Sequence, residues 1–253
     1  MSKNKLKKFA EMETFHNVFQ CGAQEVETSA VLAMAGHWRE NYFKNDNPIV
    51  LELGCGRGEY TVGLAKRNPD KNYIGIDIKG ARMWAGAKQA ETEGISNVAF
   101  LRTNIEMLCR FFAQDEVDEI WITFPDPQMK KVTKRLTSTY FMERYRQVLR
   151  PDGMIHLKTD SPFLYTYTEA MVLENNYPIV VNTNNLYEAD ASPKIEEARC
   201  LQTHYEKQWL DRGLTIKYIT WKLPQIISLI EPDIEIEKDD YRFENVLCYN
   251  VFL

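Results

Sequence analysis

The sequence is poor in the residues that staple small folds or bind metals. Its five cysteines (Cys21, Cys55, Cys109, Cys200, Cys248) are odd in number, scattered, and include no C-x-x-C pair. That spacing excludes a disulfide framework and a thiolate zinc site. The four histidines show no H-x-x-x-H spacing, so no metal is expected. No run approaches the roughly 18 consecutive apolar residues of a membrane span. Glu11 and Glu13 interrupt the Lys-rich N-terminus before a signal-peptide core could form. Repeats, low-complexity tracts and Gly/Ser linkers are also lacking. The expectation is a soluble protein of a reducing cytoplasm, without membrane partners.

What is present suffices for one large domain. The chain has 253 residues, 44% hydrophobic and 26% charged, near globular averages. A chain this long buries roughly 70–75% of its unfolded surface. The net charge of −5 lowers the expectation of a nucleic-acid partner, but its distribution reverses that reading. Between Asp126 and Arg150, seven basic residues (Lys130, Lys131, Lys134, Arg135, Arg144, Arg146, Arg150) face two acids (Asp126, Glu143). Lys3, Lys5, Lys7 and Lys8 add a basic start, and seven acids from Glu231 to Glu244 counterbalance both. Such blocks are ordinarily solvated faces; they matter only beside a reactive site. The organisation expected is a basic arm over 1–23, a main domain over 24–221, and an acidic extension over 222–253 packed on that domain or trailing from it.

Helical spacing of Val26, Ala30, Ala33, Met34, His37 and Trp38 predicts an amphipathic helix over 24–43. Thereafter short apolar runs alternate with helical segments. Strands are predicted at Ile49–Leu53, Tyr73–Ile78, Val98–Leu101, Glu119–Phe124, Met154–Thr159, Ile179–Thr183 and Leu214–Trp221. Helices are predicted at 58–67, 80–93, 105–112, 138–149, 162–175 and 194–212. This alternation gives an α/β, Rossmann-like, doubly wound and mostly parallel sheet with helices on both faces. Open sheets of this kind bind ligands beyond the C-terminal ends of their strands.

The first strand runs into Leu51-Glu-Leu-Gly-Cys-Gly-Arg-Gly58, with Gly54, Gly56 and Gly58 letting the backbone turn tightly near a ligand. Glu52 would repel a pyrophosphate and suits a cationic ligand, an ammonium or sulfonium. Its alternative is a capping or ion-pairing acid. Asp77 ends the second strand nineteen residues after Gly58, where an acid holds a ribose diol. Asn104 follows the third strand with an amide that both donates and accepts. Together these residues point to S-adenosylmethionine. A nicotinamide cofactor is disfavoured by Glu52 and by the absence of G-x-G-x-x-G. The fourth strand enters Phe124-Pro-Asp-Pro127, in which two prolines stiffen the loop around Asp126. Lys130, Lys131, Lys134 and Arg135 follow at once, so a surface turn gives way to a rigid acid beside a basic track.

The segments 51–58 and 124–137, Leu-Lys-Thr-Asp at 157–160 and Thr-His-Tyr-Glu at 203–206 together resemble the bacterial tRNA (guanine-N7)-methyltransferase family, over about residues 30 to 221. The resemblance implies a class I methyltransferase fold and S-adenosylmethionine held by Glu52, Asp77, Asn104 and Asp126, beside the Gly54–Gly56 loop. It implies Asp126 as catalytic residue, and substrate contacts by Lys130, Asp160, Thr203, His204, Tyr205 and Glu206. It also implies RNA contacts by Lys131, Val132, Thr133, Lys134, Arg135, Leu136 and Thr137, with the variable-loop guanine, position 46, as target. The family usually has Trp where this chain has Gln128, and a denser basic run where Val132 and Thr133 stand. From the residues alone, Tyr205 fits either base stacking or core packing, and His156 and His204 read as structural. Two rivals remain, a methyltransferase of another substrate and a non-catalytic tRNA-binding subunit. A monomer and a homodimer fit equally.

Overall fold

The computed structural model describes residues 3–21, 30–225 and 228–240. Its elements alternate as the apolar runs do: α1 (Lys3–Met12), β1 (Val18–Gln20), β2 (Ile49–Leu53), α2 (Glu59–Arg67), β3 (Asn72–Ile76), α3 (Gly80–Glu93), β4 (Val98–Arg102), β5 (Val117–Thr123), α4 (Thr139–Val148), β6 (Leu149–Thr159), α5 (Pro162–Glu174), β7 (Ile179–Thr183), α6 (Pro193–Arg199), α7 (His204–Asp211) and β8 (Lys217–Leu223). The eight strands lie in the order β1-β4-β3-β2-β5-β6-β8-β7. All neighbours are parallel except the pairs that β8 makes with β6 and β7. The chain winds outward from β2 through β3 and β4 on one side, then from β5 through β6 on the other. Strand order thus reverses between β2 and β5, the place where such sheets open a ligand crevice.

The central strands are apolar throughout because both sheet faces are covered. β2 and β3 are buried at all five positions each. One core lies under Trp38, Phe111, Phe141, Tyr145 and Leu164, and the other under Tyr60, Met83, Phe100, Trp121 and Trp209. A polar network runs through the second. His156 stacks on Trp121 at 4.0 Å, lies 2.9 Å from Glu119 Oε1 through Nε2, and meets the Tyr218 hydroxyl at 2.7 Å through Nδ1. His156, read from the sequence as structural, therefore has partners that sequence could not supply.

Three expected helices differ. Of the one over 24–43, residues up to 29 lie outside the described residues; the remainder splits into a 3-10 turn, Ala30–Met34, and a π-helix, Trp38–Phe43. Gly36 between them has φ +82°. Glu116 accepts from the backbone N–H groups of Gly36 (2.7 Å) and Trp38 (3.1 Å), donors a continuous helix would spend internally. The helix over 194–212 is likewise two, α6 and α7, interrupted at 200–203. The Lys158 ammonium takes the Ala198 carbonyl at 2.7 Å and the Leu201 carbonyl at 3.0 Å, while Thr203 caps α7 through the Glu206 N–H. The segment 105–112 is a short 3-10 helix, Ile105–Arg110.

At the two ends, α1 packs on α3 and β1 adds an edge strand beside β4. Residues 228–240 run in extended form over α4 and α5. Among the described residues no helix is long and apolar enough to cross a membrane, and no group of acids, histidines and cysteines could hold a metal ion.

Candidate functional site

The strand tips converge as the parallel register requires. Leu53 pairs with both Ile76 and Ile122, and Ile76 with Leu101. The residues that follow β2, β3, β4 and β5 therefore line one edge of the sheet. Gly54, Gly56 and Gly58 all have positive φ, +77°, +55° and +73°, the left-handed region that favours glycine. They serve different purposes. A Cβ at Gly58 would lie 2.6 Å from the Phe100 ring, so Gly58 is required by packing; a Cβ at Gly54 would meet nothing within 4 Å, so the backbone there faces open space.

Glu52 is buried on the last turn of β2. Its Oε2 accepts from the Thr61 backbone N–H (2.8 Å) and hydroxyl, and its Oε1 from the Thr123 hydroxyl (2.7 Å). Burial nevertheless raises its pKa to about 7 against those bonds, with Asp77 adding to the rise. The protein thus keeps an acid poised near neutrality beneath the loop, ready to ionise when a cation arrives. Asp77 fixes the loop itself, accepting from Gly56 N–H at 2.9 Å and Lys79 N–H at 2.7 Å. Each of its oxygens has a second lone pair for hydroxyl donors. Asn104 is exposed at the end of β4, and beside it the Thr103 hydroxyl is buried without a partner.

Asp126 stands on a constrained loop. Pro125 and Pro127 are buried while Asp126 is exposed. Phe124 and Gln128, which flank them, both adopt φ +48°, and such strain in a non-glycine residue concentrates at functional sites. The Gln128 N–H donates to Asp126 Oδ1 at 2.9 Å, and the Phe124 N–H is tied to the Lys158 carbonyl at 2.8 Å. Across the cleft the half-exposed Tyr205 ring meets Phe124 edge-on at 5.7 Å and Trp209 at 5.3 Å. Exposure on one side and packing on the other reconcile its two sequence readings.

The L-K-T-D and T-H-Y-E segments meet through a buried ion pair, Lys158 Nζ to Glu206 Oε1 at 2.8 Å, with Tyr187 donating to the same oxygen at 2.6 Å. Sequence reasoning quoted Lys158 without giving it a role, and missed Thr61 and Thr123 as holders of Glu52. Thr203, His204 and Tyr205 reach the surface of this corner, whereas Asp160 and Glu206 are fully buried. Lys217 donates to the Asp160 carbonyl at 3.0 Å. Asp160 and Glu206, both expected to contact substrate, thus lie beneath the exposed Thr203–Tyr205 corner in this conformation.

The basic track is also thinner than its charge count. Lys130, Lys131, Val132, Thr133 and Lys134 are exposed, and Leu136 is half-buried. Arg135 and Thr137, both expected to touch RNA, are buried side chains in this conformation. Arg135 lies over the Tyr167 ring at 3.9 Å and donates to the carbonyls of Pro127 and Gln128, both at 3.1 Å. Lys134 pairs with Glu106 at 2.5 Å, Arg146 with Glu143 at 2.6 Å and Arg150 with Asp118 at 3.3 Å. Arg144 lies over the Tyr140 ring at 3.6 Å and donates to the Tyr140 carbonyl at 2.7 Å. Of the block, Lys130 and Lys131 are left exposed a few residues beyond Asp126.

A family model described as "Putative methyltransferase" matches residues 46–219, the span holding every strand tip described above. A tRNA (guanine-N(7)-)-methyltransferase of Bacteroides fragilis is 59% identical over 97% of this chain and 96% of its own length. One of Porphyromonas gingivalis is 60% identical over 92% and 96%. The chain belongs to the tRNA (guanine-N7)-methyltransferase family. Among solved structures, the 16S rRNA methyltransferase KamB aligns with a TM-score of 0.55 at 16% identity, over 74% of this chain and 92% of that one. At that identity the likeness speaks for the fold alone.

The residues fit the S-adenosylmethionine of this methyltransferase family. The open backbone at Gly54, a second lone pair on each Asp77 oxygen, the unpartnered Thr103 hydroxyl and the ionisable Glu52 would supply room, acceptors and countercharge to it. Because burial raises the Glu52 pKa to about 7 and a nearby cation favours its carboxylate, affinity for S-adenosylmethionine is expected to rise with pH. The gain from pH 6 to pH 8 is about tenfold. Calorimetric titration of wild type against Glu52→Gln isolates this term from the ligand's own ionisation. Identical pH slopes in the two proteins would remove Glu52 from the account.

Proposed function

We propose that the protein transfers a methyl group from S-adenosylmethionine to N7 of the variable-loop guanine, position 46, of tRNA. The observation that carries this reading is the juxtaposition at one sheet edge of the Glu52–Asp77 cradle with the rigid Asp126 loop and its two presented lysines. S-adenosylmethionine supplies, when bound, a methyl carbon activated by its sulfonium. Everything else falls to the chain. Guanine N7 carries a lone pair and no proton, so no strong base is needed, and alignment of N7 with the methyl carbon and sulfur dominates. Asp126 accepts from the guanine N1–H and N2–H₂ edge and offers negative charge to the ring as it becomes cationic. Phe124 and Tyr205 bound the space where the base enters.

An A-form major groove is too narrow to admit these side chains, so the guanine is taken unpaired or extruded. The protein acts in the cytoplasm as a monomer or homodimer, with no metal. The test is methyl transfer from labelled S-adenosylmethionine to unmodified tRNA, with N7-methylguanine mapped by chemical strand scission. Label at the variable-loop guanine is expected; tight cofactor binding without transfer to tRNA would point to another substrate.

Lys130 and Lys131 give a separate expectation. Their joint replacement by alanine weakens tRNA binding and flattens the slope of log Kd against log salt by about one to two units. S-adenosylmethionine affinity stays unchanged. An unaltered salt slope in filter binding would show that the RNA lies elsewhere.

A further inference from the structure

The acidic C-terminal segment is the largest sequence feature that the reaction does not use. Its described part does not simply trail in solvent. Two of its carboxylates bond to the main domain, Glu231 at the surface and Asp239 buried, each at the N-terminus of a helix that borders the catalytic loop. Glu231 accepts from the Thr139 hydroxyl at 2.5 Å and the Thr139 N–H at 3.3 Å, at the start of α4, and from the Tyr167 hydroxyl. Asp239, 5% exposed, accepts from the Phe163 N–H at 2.9 Å and from the Ser161 hydroxyl at the start of α5. Helix N-termini favour negative charge. The residue just before Glu231 is fixed too, since Asn175, the C-cap of α5, exchanges two 2.8 Å hydrogen bonds with the Ile230 backbone.

Both anchor points lead to the Asp126 loop by short chains of contacts. From Glu231 the path runs to Tyr167, whose ring lies under the Arg135 guanidinium, which holds the carbonyls of Pro127 and Gln128. From Asp239 it is direct: the Asp239 N–H donates to the Met129 sulfur at 3.3 Å. Asp239 also borders Ser161, which follows Asp160. A loop that carries two residues at φ +48° stays in that shape only where its surroundings over-determine it.

We propose that Glu231 and Asp239 are positioning residues, and that the acidic segment braces the Asp126 loop in its reactive shape. The kinetic half of the proposal rests on the methyltransferase reading above; the structural half does not. The test is the double variant Glu231→Ala/Asp239→Ala in the full chain, with Asp239→Asn as the conservative variant that keeps an acceptor for the Phe163 N–H. Amide hydrogen exchange over residues 126–136 is expected to accelerate at least tenfold in the double variant while β2–β5 stay as protected as in wild type. Loop exchange at the wild-type rate overturns the brace whatever the substrate proves to be. At saturating tRNA, kcat is expected to fall about tenfold with S-adenosylmethionine affinity unchanged, and Asp239→Asn to recover most of the loss. A lower Tm with unaltered kcat would make the contacts merely structural. Tighter tRNA binding with higher kcat would instead mark the segment as a repulsive shield, and would equally overturn the proposal.

Discussion

Replacement of Asp126 by alanine is expected to lower the rate of methyl transfer at saturating substrates by two to three orders of magnitude. The expectation follows from how the carboxylate is held rather than from proton chemistry. Flanking prolines, two backbone positions at φ +48° and the Gln128 N–H fix Asp126 in one place at the cleft. Misplacing a reacting group by about 1 Å can cost about 100-fold, and alanine removes the carboxylate proposed to read the guanine edge. Asparagine keeps the shape and one acceptor, so Asp126→Asn should lose about tenfold to 100-fold, less than alanine. Single-turnover kinetics with labelled cofactor measure both. A pH–rate profile dominated by a single ionisation, abolished in Asp126→Asn with tRNA and cofactor binding intact, would make Asp126 a general base and overturn the positioning account.

The fold was legible because a parallel sheet writes itself as apolar runs of strand length alternating with helical periods. Ile49–Leu53 and Ile179–Thr183 fall where the pattern places them. The strand tips were legible for the same reason: once the sheet is parallel, Glu52, Asp77, Asn104 and Asp126 must share an edge. What escaped depends on partners distant in sequence. The helical spacing of residues 30–43 is real, and Trp38 and Phe43 are buried, yet Glu116 captures the N–H groups at Gly36 and divides the segment. The break between α6 and α7 depends on Lys158, some forty residues upstream. Charge counting fails most instructively. Arg135 looks like one more cation of an RNA-binding run, but its guanidinium is turned inward onto Tyr167 and the Pro127 carbonyl. Sequence gives the sum of charges; only packing tells which of them face solvent.

The same logic sets the second large effect, at Lys158. Its ammonium is fully buried, paired with Glu206, and bonded to the two carbonyls exposed by the helix break. Burial lowers its pKa and the Glu206 carboxylate opposes that shift, so the pair is held together chiefly by leaving neither charge alone. Removing one partner leaves the other buried and uncompensated, typically a loss of about 3–5 kcal/mol. Lys158→Met is therefore expected to lower folding stability by that amount in urea denaturation. The double variant Lys158→Met/Glu206→Gln should recover a substantial part, because it also removes the stranded carboxylate. In both, the Leu201 carbonyl loses its Lys158 donor and the Ala198 carbonyl keeps just the 3.4 Å bond from the Tyr60 hydroxyl, which keeps the recovery incomplete. Activity should not follow stability. Thr203 and Tyr205 ride on the corner that Lys158 pins, so the double variant should fold yet show a raised KM for tRNA. A single variant within about 1 kcal/mol of wild type would mean that water reaches this pair, and that the corner is held by its apolar contacts alone.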